Sequence, residues 1–440
     1  MKARIAAFFQ IPRETFWVVP AAITLAGVIL ALVLVQVDAR ELLPAWIREG
    51  GWLYNGGATG ARTLLATVAS STIGVAGTVF SITIAALAFA AGQMGPRLLR
   101  NFTEDRGNQF TLGIFLGTFG YALMVLRSVR TQGEGVFIPH LSLTFAIILA
   151  FLCVGTLIYF VGHMANRLNV DTVIELVSRD LWDAIDYLTV EDPPPPPPSV
   201  AFWQDGAVVT DTRHGYLQKL DAAGLGEWAA DNGSTIRFLV RPGEYVFPGS
   251  PIALAVPLVN GIGAAIRETT VIGPQRGSSA DLEFPVRHLV EVAVRALSPG
   301  INDPNTAMSV IDRLGAALCH LAPLYLPSGV VLKGEHLALV VPSVDYDGLV
   351  DAMLHMIRQN GSRSPAVLIR MLDILTSVAG CEHDPARIET LMRHADLIVG
   401  DASRNNLTPS DLADIRLAHK GFVAMMQAGP AGYLSTMSGV

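Results

Sequence analysis

Hydrophobic residues are concentrated in the first 163 positions, in four long stretches separated by short polar segments. The stretches cover about residues 16–37, 63–91, 110–126 and 141–162. A helix needs about 20 mostly apolar residues to cross the hydrocarbon core of a bilayer. We therefore predict four transmembrane helices that form an α-helical membrane bundle. The first stretch ends without a small-residue cleavage site, so we expect an uncleaved anchor.

After residue 163 the pattern changes to that of a cytoplasmic α+β region. Residues 164–191 place apolar and charged positions at the helical period, which predicts a helical extension of the fourth span. Residues 192–199 contain six consecutive prolines and predict a polyproline II linker. Residues 200–258 hold short strand-like runs between turn signals, which favour a small β-barrel-like domain. Residues 262–440 predict a mainly helical domain.

Two local signals stand inside this last domain. Residues 330–332 and 336–342 read as a strand pair around the turn Lys333-Gly334-Glu335. Thr408-Pro409-Ser410-Asp411 has the order of an N-cap, a proline at the first helical position and an acid at the third. We expect a helix to begin there.

The overall composition agrees with a membrane protein. The 440 residues are 51% hydrophobic and only 16% charged, with a mean hydropathy of +0.43. Soluble domains carry about 25% charged residues. These values and the net charge of −7 exclude a disordered chain and a nucleic-acid-binding protein built on basicity. The three scattered cysteines, Cys153, Cys319 and Cys381, do not form a disulfide framework.

The orientation in the membrane is predicted from the basic residues in the short flanking segments, because cytoplasmic segments are richer in Lys and Arg. With the N-terminus inside, the cytoplasmic side collects Lys2, Arg4, Arg13, Arg97, Arg100, Arg106 and Arg167. The outer side then holds Arg40, Arg48, Arg62, Arg127 and Arg130. We therefore expect both termini in the cytoplasm.

One face of the second span carries only small or hydroxyl side chains. Its members recur every three or four residues: Thr63, Thr67, Ser70, Gly74, Gly77, Ser81, Ala85, Ala88 and Gly92. Small residues let helix backbones approach closely in lipid. The face is therefore either a helix-packing seam or, in copies arranged around an axis, the lining of a pore.

A basic turn follows this span. Glycine and proline break the helix near Gly95 and Pro96, and Arg97 and Arg100 alternate there with apolar residues. Such a segment suits the membrane surface. It is either only a surface turn or an element that couples the second span to the cytoplasmic region.

None of the four apolar stretches contains an ionisable residue. Ion-coupled carriers and pumps place carboxylates or histidines inside their spans. The sequence therefore argues against an active transporter and leaves a passive channel open.

A second candidate site is the turn at residues 298–307. Pro299 and Gly300 end one helix, Asp303 caps the next and Pro304 takes its first position, which gives the turn a purely structural explanation. The alternative is a turn that offers polar groups to a ligand, an ion or a neighbouring subunit, through Ser298, Asn302, Asp303, Asn305 and Thr306. In that case Asp281, His288 and Arg295 could approach the same place.

The chain has no Walker-type loop, no Gly-x-Ser-x-Gly motif and no kinase motifs, so the sequence disfavours an enzyme without deciding the question. Cys381-Glu382-His383-Asp384 contains two types of metal ligand, but no second Cys/His pair stands at zinc spacing. We therefore predict no metal site and no cofactor.

Three segments together resemble a known family. They are residues 92–100 (GQMGPRLLR), residues 105–109 (DRGNQ) and residues 295–307 (RALSPGINDPNTA). In this order they resemble the bacterial "predicted membrane protein" family, which is catalogued as a domain of unknown function. The resemblance covers nearly the whole chain. It implies a four-span protein of the bacterial inner membrane with a cytoplasmic C-terminal region, and no established activity.

Two functional hypotheses remain, with a weaker third. The first is a homo-oligomeric channel or passive conduit, gated by a cytoplasmic domain that binds a small ligand or ion. The second is a membrane-anchored sensor or assembly scaffold without transport activity. The third is a membrane-bound hydrolase that uses Asp281, His288 and Asp303. The partners expected are membrane lipid and further copies of the chain, with no nucleic acid.

Overall fold

The computed structural model describes residues 16–40, 53–94, 105–130, 136–167, 169–276 and 281–437. The chain divides into two compact units, Met1–Thr172 and Val173–Val440.

The first unit contains the four predicted spans, and all four are confirmed as helices. Among the described residues, these four helices are long and apolar enough to cross a membrane. They are α1 (Val18–Ala39), α2 (Ala58–Met94), α3 (Arg106–Ser128) and α4 (His140–Arg167).

Helix α3 is the central helix of this unit. Half of its span is buried inside the protein, against 22% for α2 and 11% for α1. Small residues bring α1 and α3 close together, since a Cβ on Gly27 would lie 2.5 Å from the carbonyl oxygen of Gly117. Gly113 of α3 likewise faces Ile23 of α1. The α1–α3 crossing therefore depends on the absence of side chains at these positions.

The carboxylate of Asp38 joins the end of α1 to the start of α4. It accepts hydrogen bonds from the N–H groups of Leu141 and Ser142, at 3.0 and 2.9 Å, and from the Ser142 hydroxyl at 2.7 Å. The hydroxyl of Tyr121 on α3 donates to the Ser142 carbonyl at 2.8 Å. Three of the four helices are thus tied together at one end, where α4 has unpaired N–H groups to satisfy.

The second unit mixes eight short strands with nine helices in the part of the chain that the structure describes. In chain order its elements are α5 (Val170–Leu188), β1 (Ala207–Thr210), β2 (Gly215–Leu220), α6 (Ala222–Asp231), β3 (Thr235–Phe238), β4 (Tyr245–Val246), β5 (Pro251–Val256), α7 (Ile262–Thr269), β6 (Thr270–Gly273), α8 (Glu283–Ala296), α9 (Pro304–Leu321), β7 (Val330–Lys333), β8 (His336–Val340), α10 (Tyr346–Gly361), α11 (Pro365–Ala379), α12 (Pro385–Arg404) and α13 (Pro409–Met437). The strand pair β7–β8 and the start of α13 confirm the two local predictions.

The strands do not form the barrel-like domain expected from the sequence. They make two open sheets, one in the order β1-β5-β3-β8-β7 and one in the order β4-β2-β6. Two features explain the difference. Residues 222–231 fold as helix α6, with Asp221 as its N-cap. Strand β3 pairs in parallel with β8, although these two strands lie on opposite sides of the predicted domain boundary near residue 260. The division into a β domain and a helical domain stays a prediction.

The later helices pack into a core of their own. A Cβ on Gly315 of α9 would lie 2.9 Å from the Cβ of Ile374 on α11, so glycine sets the spacing of these two helices. Leu314 and Leu375 are fully buried beside them. Helices α9 and α11 therefore pack through a close, fully apolar contact.

Asp38→Ala should weaken the membrane unit. Replacing an N-cap residue with alanine costs about 0.5–2 kcal/mol, and Asp38 also ties α1 to α4. We expect a lower midpoint of unfolding in detergent. Asp205→Ala, at an exposed position of the second unit, is the control. Equal midpoints for the two variants would contradict a capping role for Asp38.

Candidate functional site

The small-residue face of α2 lies on the exposed side of that helix. Every member predicted from the sequence is exposed in the single chain: Thr63, Thr67, Ser70, Gly74, Gly77, Ser81, Ala85, Ala88 and Gly92. A Cβ on Gly74 or Gly77 would meet no atom within 4 Å. The described helices of the same chain therefore leave this face uncovered.

The opposite face of α2 packs against the rest of the membrane unit. Leu65 and Ala69 belong to one buried cluster with residues of α3 and α4, and Ala76 and Val79 belong to a second. Because both clusters lie on the side away from the small-residue face, the packing of the chain itself fixes which way that face points.

The hydroxyl groups of this face are hydrogen-bonded within their own helix. Each donates to a carbonyl three or four residues earlier: Thr63 to Thr59 at 3.0 Å, Thr67 to Thr63 at 2.8 Å, Ser70 to Thr67 at 3.2 Å and Ser81 to Gly77 at 2.9 Å. The donors are thus satisfied, and the oxygen lone pairs stay exposed as acceptors. Such a face can pack against another helix without losing a hydrogen bond, and it can also accept hydrogen bonds from water.

The predicted coupling turn cannot be compared with the structure. Gly95, Pro96, Arg97 and Arg100 lie outside the described residues.

A polar cluster that the sequence analysis did not assign lies at the start of α3. Asp105 caps this helix, accepting from the N–H of Gly107 at 3.2 Å. Its other carboxylate oxygen lies 2.6 Å from Nε2 of His163 on α4. The side chain of Asp105 is 4% exposed and that of His163 is 18% exposed. The pair therefore joins two membrane helices through a largely buried contact.

Two further polar side chains follow this pair on α3. Asn108 and Thr111 are buried, and neither the Asn108 amide nor the Thr111 hydroxyl has a hydrogen-bond partner among the described residues. Helical spacing puts them on one face with Phe115, which packs in a cluster with residues of α2 and α4. A buried group left unpaired costs about 1–3 kcal/mol.

A sequence signal for this cluster existed in the polar run of residues 105–109. The predicted third span began only at residue 110, because its apolar run begins there. The helix itself begins at Arg106, so Asn108 lies inside it.

The turn at 298–307 is held together by its own hydrogen bonds. Asp303 accepts from the N–H groups of Asn305 and Thr306, at 3.1 and 3.2 Å, and from the Thr306 hydroxyl at 2.6 Å. The Thr306 hydroxyl and these N–H groups lower the pKa of Asp303. Ser298 donates to the carbonyl of Arg295 at 2.6 Å. Asn302 adopts a left-handed conformation, with φ of 49°. The capping role predicted for Asp303 is confirmed, and a ligand at this turn stays a prediction.

The structure separates Asp281 from this turn. Asp281 precedes α8 and Ser298 follows it, and at about 1.5 Å per helical residue the two lie roughly 20 Å or more apart. His288 lies between them, its ring 4.3 Å from that of Phe284. Arg295 lies near the turn and pairs with Glu291, with 3.5 Å between Nε and Oε1.

Asp281 instead lines a cavity of about 750 Å³ in the second unit. The walls are mainly apolar and come from Pro193–Pro195, from residues 326–331 and from residues 341–344. The charged residues that line it are Glu191, Asp192, Arg241 and Asp281. Arg276 lies 2.6 Å from Asp281, and Arg241 lies 2.6 Å from Glu283. An apolar cavity with a few fixed polar groups is the usual form of a small-molecule site.

Comparisons with known proteins agree with the membrane architecture. Residues 13–377 match the family described as Predicted membrane protein (DUF2254). Uncharacterized proteins of Mycobacterium tuberculosis and Mycobacterium bovis are each 32% identical to the chain over 380 residues, which is 82% of this chain and 72% of each relative. No solved structure matches the chain. The family match covers all four spans, the turn before α9 and the cavity.

Asn108→Leu should stabilise the membrane unit. Leucine has a similar volume and removes two unpaired polar atoms, so we expect a gain of about 1–3 kcal/mol in unfolding free energy in detergent. The control is Thr118→Val. The Thr118 hydroxyl accepts from the Cys153 thiol at 3.3 Å, so this variant removes a paired polar group and not an unpaired one. A loss of stability in Asn108→Leu would contradict an unpaired amide.

Asp303→Ala should destabilise the second unit, because α9 loses its cap. The expected loss is about 0.5–2 kcal/mol, measured by chemical unfolding of the full chain. Asp303→Asn keeps an acceptor oxygen and should retain most of the stability. Unchanged stability in the alanine variant would contradict the structural role of Asp303.

Proposed function

We propose that this chain, which belongs to the family of predicted membrane proteins (DUF2254), is a homo-oligomeric passive conduit of the bacterial inner membrane. In this proposal copies of α2 turn their small-residue faces toward one another, and the cytoplasmic region controls opening. Both termini lie in the cytoplasm, as the distribution of Lys and Arg favours.

The uncovered small-residue face of α2 is the observation that carries the proposal. Inside the chain, the α1–α3 crossing uses the same kind of surface, and there Gly27 and Gly117 are in close contact. A Cβ on Gly74 or Gly77, by contrast, would meet no atom of the described residues within 4 Å. Lipid gives helices no hydrophobic reason to associate, so close backbone packing is a main source of association. A second copy of α2 has the shape that this surface fits.

The chemistry of the face supports a conduit around an axis of symmetry. Its exposed oxygen atoms can accept hydrogen bonds from water, and none of its nine members is charged. A ring of such helices would offer a polar but uncharged lining, which suits passive movement of ions or small solutes. A pore of this kind requires several copies of the chain in a closed symmetric ring, since one α2 helix cannot enclose it.

The cavity of the second unit supports ligand control of that opening. Its volume of about 750 Å³ is within the range of small-molecule sites. Pro193–Pro195 of the polyproline linker form part of its wall. A ligand that binds there would therefore contact the segment that follows α5, and its binding energy could bias the linker. We propose this cavity, and not the turn at 298–307, as the effector site.

Gly77→Leu should impair both assembly and transport. A leucine side chain would keep two α2 helices apart at their closest point, so we expect fewer oligomers in nanodiscs and a several-fold lower ion flux in liposomes. The matched control is Gly155→Leu on α4, because Gly155 is also exposed and also has nothing within 4 Å of a Cβ.

Two results would count against the proposal. Equal flux and assembly in Gly77→Leu and wild type would remove the role of the face. Stable oligomers without flux of Na⁺, K⁺, Cl⁻ or small osmolytes under any condition would instead support the membrane-anchored sensor or scaffold.

A further inference from the structure

We propose that Asp351, His355 and His394 form a binding site for a divalent transition metal, with Zn²⁺ as the ion that fits it best. Asp351 and His355 stand four residues apart on α10 and thus share one face of that helix. His394 comes from α12. One ligand atom from each of the three residues lies within 4.8 Å of the other two.

The histidine nitrogens converge on a single carboxylate oxygen. Nε2 of His394 lies 2.9 Å from Oδ1 of Asp351, and Nε2 of His355 lies 3.1 Å from the same atom. Two ligand atoms bound at about 2.0–2.1 Å to a tetrahedral zinc ion lie about 3.3 Å apart. The two spacings between imidazole and carboxylate are therefore within a few tenths of an ångström of that value, and the ligand atoms of the two histidines lie within 4.8 Å of each other.

Burial fixes the position of one of the three ligands, His394. The side chain of His394 is fully buried, while Asp351 and His355 are each 33% exposed, so an ion can approach from the solvent side. Nδ1 of His394 has no hydrogen-bond partner among the described residues. Metal binding at Nε2 requires the ring proton on Nδ1, so the bond to the ion replaces the hydrogen bond between Nε2 and Asp351.

Two arginines lie against the proposed ligands, and each of them also contacts a further carboxylate. Arg393 lies 2.7 Å from Oδ1 of Asp351 and also 2.8 Å from Oδ1 of Asp347. It can keep the second contact when an ion takes the first. Arg358 lies 3.4 Å from Nδ1 of His355, but its guanidinium group is paired with Asp401.

The donor set determines the class of ion and its effect. Two imidazoles and one carboxylate suit zinc and similar transition metals, whereas calcium and magnesium prefer oxygen ligands. Three protein ligands leave the fourth position for water. Arg393, which contacts Asp351, also lines a groove of about 870 Å³ together with Asp347. The ion would connect α10 to α12 and stabilise the helical part of the second unit.

The test uses the full chain, purified in detergent without a histidine tag and treated with a chelator. Zn²⁺ is titrated by calorimetry, and Co²⁺ is added separately to record the absorption bands of a tetrahedral site. We expect one Zn²⁺ per chain, tetrahedral cobalt bands and a higher midpoint of thermal unfolding with metal. His355→Ala should weaken binding by more than about tenfold, since even the loss of an outer-shell partner weakens metal binding about 10–100-fold.

The matched control is His419→Ala. His419 also pairs with an aspartate, Asp396, at 2.9 Å, but this pair is not part of the three-residue site. This variant should bind metal as the wild type does, and Asp351→Asn should bind weakly. His355 is partly exposed, so its variant should fold. Two results would overturn the proposal. One is no binding by the wild type when the free Zn²⁺ concentration is about 100 times a micromolar Kd, and the other is equal binding by the wild type and His355→Ala.

Discussion

Close approach of helix backbones is the interaction on which the membrane half of this protein depends. In lipid, apolar side chains gain nothing by leaving their surroundings, so helices associate where small residues let their backbones meet. The crossing of α1 and α3 at Gly27 and Gly117 is such a contact within the chain. Helix α2 carries the same kind of surface on its outer side, and no other described helix of the chain covers it. The proposed assembly follows from this difference, because α1 and α3 already pack closely, whereas the small-residue face of α2 has no packing partner among the described helices.

Polar groups at the two ends of the membrane unit have different environments. At one end, Asp38 and Ser142 form a compact set of hydrogen bonds that joins α1, α3 and α4. At the other end, Asp105 and His163 pair closely, but Asn108 next to them is buried with no hydrogen-bond partner among the described residues. A satisfied network stabilises a bundle, whereas an unpaired buried amide reduces its stability. The unpaired amide therefore makes the second end the less stabilised of the two.

Much of the fold could be predicted from the sequence, for physical reasons that differ between elements. The spans follow from the length of their apolar runs, and the start of α9 follows from Asp303 and Pro304, because capping is local. The order of the strands in the five-stranded sheet could not be predicted, since β3 pairs in parallel with a strand about 100 residues later. No local pattern encodes such a pairing.

The sites show the same limit. The small-residue face of α2 has a period that can be read directly, whereas its exposure depends on how α3 and α4 pack. Asp281 was grouped with the turn at 298–307, but α8 keeps them apart. The contact of His394 with Asp351 joins residues of two helices 43 positions apart, so a search for metal-ligand spacing does not find it.

The central claim is that α2 helices of different copies face one another, and disulfide cross-linking in native membranes measures this directly. In a chain whose three cysteines are replaced by serine, Ser81→Cys puts a thiol on the small-residue face, and Ile158→Cys puts one on α4 at a side chain that is 72% exposed. Under mild oxidation the account predicts a covalent dimer from Ser81→Cys and almost none from Ile158→Cys. A monomer in both cases, or equal cross-linking at the two positions, would contradict it.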